Sequence, residues 1–339
     1  MKLKIFITVC IALIALLLGI AIGSVNIPPN DVLSILGHNI FGFNLPQHIN
    51  DGRIAIVWNA RLPRTLLAFI AGATLSVSGA VMQSILRNPL ASSYTLGVSS
   101  GASLGAALVI FIGVTLPVLP MMTLPILGFA FGLATILIVM VISRKLDIRM
   151  ENHTIILTGM VFSLFINAIT TLMFALFREN MQRMIFWQMG SFSMRDWHTI
   201  YILAPIALVG IFIISRFKWE LDVMTFGEEQ AQTIGVNIKR VKLSLLIIAA
   251  ALTGSTIAFV GVIGFVDLVA PHIVRKIFGS SHRYTIPISA IVGGTFMIIA
   301  DIAARTVTAP IELPVGAVTA IIGAPFFAYV YFSKRKEQV

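Results

Sequence analysis

Ten apolar runs divide this chain, near residues 5–25, 62–86, 100–119, 121–143, 154–177, 199–215, 242–264, 266–278, 284–304 and 314–332. About twenty apolar residues in a helix cross a ~30 Å hydrocarbon core. The 266–278 run is too short to cross without tilt or help from its neighbours. Composition agrees: 58% of residues are hydrophobic and 11% charged, where a soluble domain carries about a quarter charged. The runs predict an all-α polytopic membrane protein with about ten transmembrane helices.

The charges give this array a direction. With ten spans, the basic clusters Lys2/Lys4, Arg144/Lys145/Arg149, Arg216/Lys218, Lys239/Arg240/Lys242, Arg275/Lys276/Arg283 and Lys334/Arg335/Lys336 fall on one side, with Arg87. The positive-inside rule makes that side cytoplasmic and puts both termini there. The net charge of +10 is thus carried by topogenic clusters, not by a nucleic-acid-binding face. Arg61, Arg64, Arg178, Arg183, Arg195 and Arg305 land on the other side, against the bias. Residues 1–23 hold an apolar run longer than the ~7–15 residues of a signal peptide and a poor cleavage site, so they read as an uncleaved first helix. Cys10, the one cysteine, excludes an intramolecular disulfide and a multi-cysteine metal site.

Within the second run small residues recur every fourth position: Ala68, Gly72, Ser76, Ala80 and Ser84. Such a stripe lets helix backbones approach closely in lipid, so this helix is expected inside the protein. "AGATLSVSGAV" in the second run is faintly echoed by "AAALTGSTIAFVGV" in the seventh, as in the paired repeats of many transporters. Gly97-Val98-Ser99-Ser100-Gly101 matches a nucleophile elbow, but that elbow needs a strand before it, and here an apolar helix follows a Gly/Ser-rich stretch. The sequon at Asn152-His153-Thr154 falls on the cytoplasmic side. No G-x-x-x-x-G-K-[ST] occurs, so ATP-driven work would need a second subunit. The six histidines form no H-x-x-x-H pair and gather no carboxylates, which argues against a metal site. Asp267, His272, Asp301 and Arg305 are the few ionisable groups near apolar runs and are functional candidates by default. Asp301 and Arg305, four apart, are placed to pair on one helix face.

Five blocks carry a resemblance. "RLPRTLLAFIAGATLSVSGAVMQSILRNPLASSYTLGVSSGASLGA", "WQMGSF", "FGEEQAQTIGVNIKRVK", "GFVDLVAPHIVRKIFGSSHR" and "ADIAARTVTAPIELPVGAVTAIIGAPFFAYV" together resemble the permease subunits of the iron-siderophore and vitamin B12 ABC importers. The likeness runs in register from about 55 to 332; the first span and residues 26–60 are nondescript. It implies a type II importer permease fold, in which two ten-helix permeases, identical or homologous, frame a pathway in the bacterial cell membrane. Two cytosolic ATPases, holding the ATP and magnesium, would drive it, and an extracytoplasmic binding protein would deliver the ligand. The chain itself would bind no cofactor, catalyse no reaction and contact lipid.

The resemblance also assigns residues. Arg61, Arg64 and Arg305 match arginines that face outward and meet acidic residues of the binding protein; fixed positive charge there would speed and orient docking. The plainer alternative is arginine anchoring a helix end. Phe226, Gly227, Glu228, Glu229, Gln232 and Gly235 match the coupling helices that seat in the ATPase, with a short helix from Glu228 to Ile234 ended by Gly235 in a left-handed conformation. Asn88 and Leu90 match one cytoplasmic gate. Asn152 and His153 match a second, whose usual small hydroxyl residues are absent here. The expected organisation is one transmembrane domain over 1–339: first helix 1–25, outer segment 26–60, helices 2–6 over 61–215, coupling loop 216–241, helices 7–10 over 242–332 and a cytoplasmic tail 333–339. The expected cargo is an intact ferric siderophore. Vitamin B12 or haem is the alternative within the family, and an ion-coupled secondary carrier the alternative outside it.

Overall fold

A computed structural model describes residues 1–23 and 25–336, with side chains described as far as 329; residues 337–339 of the expected tail, and the side chains of Lys334, Arg335 and Lys336, lie outside the described residues. Every regular element among the described residues is helical. The long helices are α1 (Lys2–Ala21), α4 (Leu62–Ile85), α6 (Thr123–Leu146), α7 (Asn152–Leu176), α9 (Trp197–Arg216), α12 (Ile238–Val260), α14 (His282–Thr306) and α15 (Val315–Lys336). Shorter ones are α2 (Pro29–Phe41), α3 (Asp51–Ala55), α5 (Val98–Ala107), α8 (Met181–Gln188), α10 (Lys218–Phe226), α11 (Glu228–Thr233) and α13 (Val266–Phe278). Among the described residues seven helices are long and apolar enough to cross a membrane, and Val98–Ile112 and Val315–Tyr329 are shorter apolar helices. The chain is a multi-pass membrane protein.

Two boundaries differ from the sequence reading. The segment 26–60 is not separate from the second span: α3, a π turn at Ile56–Arg61 and α4 form one helical run, Asp51–Ile85, started by Asn50, whose side chain accepts from the Arg53 N–H. The third run, expected over 100–119, is helical only to Ile112, where Gly113 in a left-handed conformation ends it.

The interior is built on close backbone approach. A Cβ on Gly72 would lie 2.1 Å from the Gly293 carbonyl oxygen of α14, and one on Gly79 2.0 Å from that of Asp267 in α13. Small residues are obligatory at those crossings. The stripe therefore seats α4 between α13 and α14. The echoed segments meet across the core, where the Thr74 and Thr256 hydroxyls are 2.7 Å apart.

Helices α5 and α13 are short because each follows irregular backbone. Thirteen residues rise only ~20 Å, and residues 86–97 and 261–265 supply the remaining depth. Non-helical backbone survives in a membrane only where protein or a cavity surrounds it. The two segments touch where the Tyr94 hydroxyl donates to the Ile263 carbonyl, and Thr253 of α12 donates to the Ser93 hydroxyl at 2.9 Å. Asp267, 3% exposed, lies beside them with Oδ2 lacking a hydrogen bond among the described residues.

Candidate functional site

The candidate residues gather at the two ends of the bundle. One end holds the start of α4, the end of α14 and the segment between α8 and α9. It encloses a cavity of about 570 Å³ whose lining includes Arg61, Arg64, Arg195, Arg305 and Glu312. The expectation that Arg61, Arg64 and Arg305 stand as exposed charges needs correction, because Arg61 is 7% and Arg305 5% exposed. Arg61 donates to the carbonyls of Ile20 (3.1 Å), Ala21 (2.7 Å) and Val25. The last carbonyls of a helix have no partner within it, so this guanidinium closes the C-terminus of α1. Gly23 makes room, since a Cβ there would lie 2.6 Å from Arg61 Nη2.

Arg64 grips Asp301 through Nε (3.0 and 3.1 Å) and Nη2 (2.9 Å), and Glu312 through Nη1 (2.8 Å). Asp301 is 1% exposed in its side chain, so this fork–carboxylate pair locks α4 to α14 in a place where neither charge tolerates being alone. Arg305 donates to the Gly19 carbonyl and lies 3.5 Å from Asp301, near enough for attraction but outside hydrogen-bond geometry. Burial raises the Glu312 carboxyl, but the bond and charge of Arg64 outweigh it and hold the group below the ordinary carboxylate range. Sequence reasoning did not single out Arg195. Its Nε is buried without a hydrogen-bond partner among the described residues; burial lowers its pKa, with Asp196 opposing. It lines this cavity and a neighbouring one that reaches His198 and Phe259.

The other end carries the turns after α4 and before α7, and the 216–241 loop. Arg87 (φ 48°) ends α4's descent and donates to the Met224 carbonyl of α10 at 2.5 Å. Asn88 accepts from the Leu90 N–H at 2.9 Å, a side-chain turn that leaves Leu90 44% exposed. Asn152 opens α7, and His153, next to it, is exposed with Nδ1 3.3 Å from Glu151. The expected short helix is present as α11, and Gly235 follows it at φ +94° with open space around a Cβ. Phe226 is 80% exposed, and Glu229 and Gln232 are exposed beside it. Gly227 (φ +147°) forms the hinge between α10 and α11.

Two polar joints bind this loop to the helices. Asp222 of α10 accepts from the His282 N–H at 2.7 Å, contacts His282 Nδ1 at 2.6 Å, and takes the Ser281 hydroxyl at 3.1 Å. His282 Nε2 reaches Ser84 of α4 at 2.7 Å. Lys242, which the sequence offers only as a topogenic charge, is 1% exposed. It joins Glu228 of α11 to Asn152 of α7. Among the described residues no three His, Cys, Asp or Glu side chains converge as a metal site, and the Gly97–Gly101 motif opens α5 with no strand before it.

Among the described residues the chain is all-helical and multi-pass, with irregular backbone before two short helices and an exposed loop at one end. The FecCD transport family model matches residues 11–333, and the chain belongs to that family. It is 42% identical over 95% of its length to an uncharacterized ABC transporter permease protein, YvrB, of Bacillus subtilis, covering 91% of that protein. It is 35% identical over 99% of its length to the Fe(3+)-citrate import system permease protein YfmE of the same organism, covering 96% of it. A solved structure of a metal-chelate type ABC transporter in an inward-facing conformation superposes with a TM-score of 0.85 at 28% identity, covering 98% of this chain and all of that one. Other relatives are a hemin transport permease of Yersinia pestis and a cobalamin import permease of Halobacterium salinarum.

Proposed function

We propose that this ABC importer permease carries an intact ferric siderophore inward, between two such subunits, with the arginine end outside and the 216–241 loop in the cytoplasm. The observation that carries this reading is the loop end itself. It presents an exposed α10–α11 surface, bonded both to the end of α4 and to the start of α7, the two places where a pathway opens. An ATPase seated on Phe226, Glu228, Glu229 and Gln232 would move the segments holding Asn88, Leu90, Asn152 and His153. At the other end, the arginine-ringed cavity receives acidic side chains of a binding protein. Arg195, whose Nε has no hydrogen-bond partner among the described residues, meets them directly, while Arg61, Arg64 and Arg305 supply fixed positive potential around it. An iron chelate is favoured as cargo by the near full-length likeness to an iron-citrate permease.

The test is uptake into proteoliposomes holding this chain with its ATPase and binding protein, offered radioiron as a hydroxamate siderophore or as citrate, and haem and cobalamin. ATP-dependent accumulation of the hydroxamate chelate is expected. Accumulation of haem or cobalamin alone would replace the iron chelate with that cargo, and accumulation in the absence of ATPase would favour an ion-coupled carrier.

A further inference from the structure

Lys242 is a buried cation at the loop end of the bundle. Its side chain is 1% exposed, yet Nζ lies 2.8 Å from Glu228 Oε1, 2.8 Å from Asn152 Oδ1 and 3.2 Å from the Met150 carbonyl. An ammonium has three N–H donors and no acceptor; here it donates to the Met150 and Asn152 oxygens and pairs with the Glu228 carboxylate, so two separate segments share one cation. The segments are the first residue of α11 and the turn that opens α7, and the lysine stands on α12 between them. Glu228 remains 28% exposed in its side chain, at the rim of the α10–α11 surface. Met150 holds a left-handed backbone (φ 55°), so the turn before α7 is fixed in a conformation that its own side chain does not favour.

We propose that Lys242 is a positioning residue that makes α11 and the turn at Met150–Asn152 one mechanical unit, so that a displacement of α11 is delivered to Asn152. The inference rests on the coupling reading above. The physical reason is the cost of separation. If α11 moved without the turn, a buried ammonium would lose an acceptor in a place water does not reach. Moving all three groups together keeps both hydrogen bonds and the ion pair. The Asp222–His282–Ser84 joint does not substitute for it, because that joint connects α10 to α4 and α14 and touches neither α11 nor α7.

The experiment uses the assembled complex with its ATPase in nanodiscs, in a Cys10→Ala background, with a nitroxide on a cysteine replacing His153. The readout is the change in nitroxide mobility between the nucleotide-free and ATP–vanadate states, divided by the ATPase rate, beside the complex's thermal stability. Lys242→Met keeps the stem and removes the ammonium, and should lower the ratio at least fivefold. Glu228→Gln, at the partly exposed end of the joint, should lower it severalfold with little change in melting temperature, and carries the test if Lys242→Met fails to assemble. Glu228→Gln combined with Asn152→Ala should be no worse than the poorer single variant. A ratio at the wild-type value in Glu228→Gln, or effects that multiply in the double variant, would make Lys242 a packing element only and overturn the proposal. A wild-type complex that binds no ATPase would overturn the coupling reading and the joint with it.

Discussion

The two ends of this bundle use charge in opposite ways. At the arginine end, three of the four cavity arginines are closed on carboxylates and helix carbonyls of the same chain. They fasten α1, α4 and α14 together. At the loop end, Asp222 and Lys242 tie a partly exposed loop to the helices while Phe226, Glu229 and Gln232 remain open to a partner. The difference teaches that one residue type at a membrane boundary fills distinct offices. Arg64 is a fastener, while Arg195 is proposed as a receptor and Lys242 as a transmitter, and burial together with the groups each one touches is what separates them.

The largest effect should come from breaking the fastener. Arg64→Ala leaves Asp301 buried without its main partner, a loss of ~3–5 kcal/mol, seen as a collapse of thermal stability in detergent or of folded yield. Reversing Arg61 and Arg64 together to Glu should therefore destroy folding before docking can be measured. A stable, monodisperse Arg64→Ala protein would return that end to the docking role alone.

Arg195 provides the contrast. Its replacement by Ala removes no hydrogen bond among the described residues, so stability should hold. Affinity for the binding protein should fall about tenfold, in keeping with ~1.5–3 kcal/mol for a hydrogen bond to a charged group. Binding measured across a salt series should also show a shallower slope. Unchanged affinity and slope would remove Arg195 from the interface.

The smallest of these effects belongs to the loop. Gly235→Val places a β-branched residue at φ +94°, at a cost of ~1–2 kcal/mol. No neighbour is struck, so membrane insertion should persist. Relaxation of the turn would tilt α11, and retention of the ATPase on affinity resin should drop severalfold. Full retention with full uptake would take this turn out of the coupling surface.

Much of this was legible in the chain. Lipid enforces long apolar runs, so the order of the long helices is written in hydropathy, and a glycine after a short polar helix announces its left-handed stop. The small-residue stripe on α4 foretold a buried helix because only close backbone approach rewards it. The extension of α4 back to Asp51 was not legible, since Asp51–Arg61 carries no sustained apolar run and is held helical by packing on α1 and α2. Nor were the partners of Arg61, Arg64 and Lys242: they lie 41, 237 and 90 residues away in sequence, and a basic residue at a span's edge reads alike whether it faces water, lipid headgroups or a buried carboxylate.

The whole comparison depends on which end faces the cell exterior. Single cysteines at Ser193, by the arginine cavity, and at Ser280, between α13 and α14, would be placed in a Cys10→Ala chain and exposed in intact cells to a membrane-impermeant maleimide. The account predicts that Ser193→Cys labels in intact cells and Ser280→Cys only after the membrane is opened. Labelling of Ser280→Cys from outside, with Ser193→Cys protected, would put the coupling loop on the wrong side of the membrane and contradict the assignment of both ends.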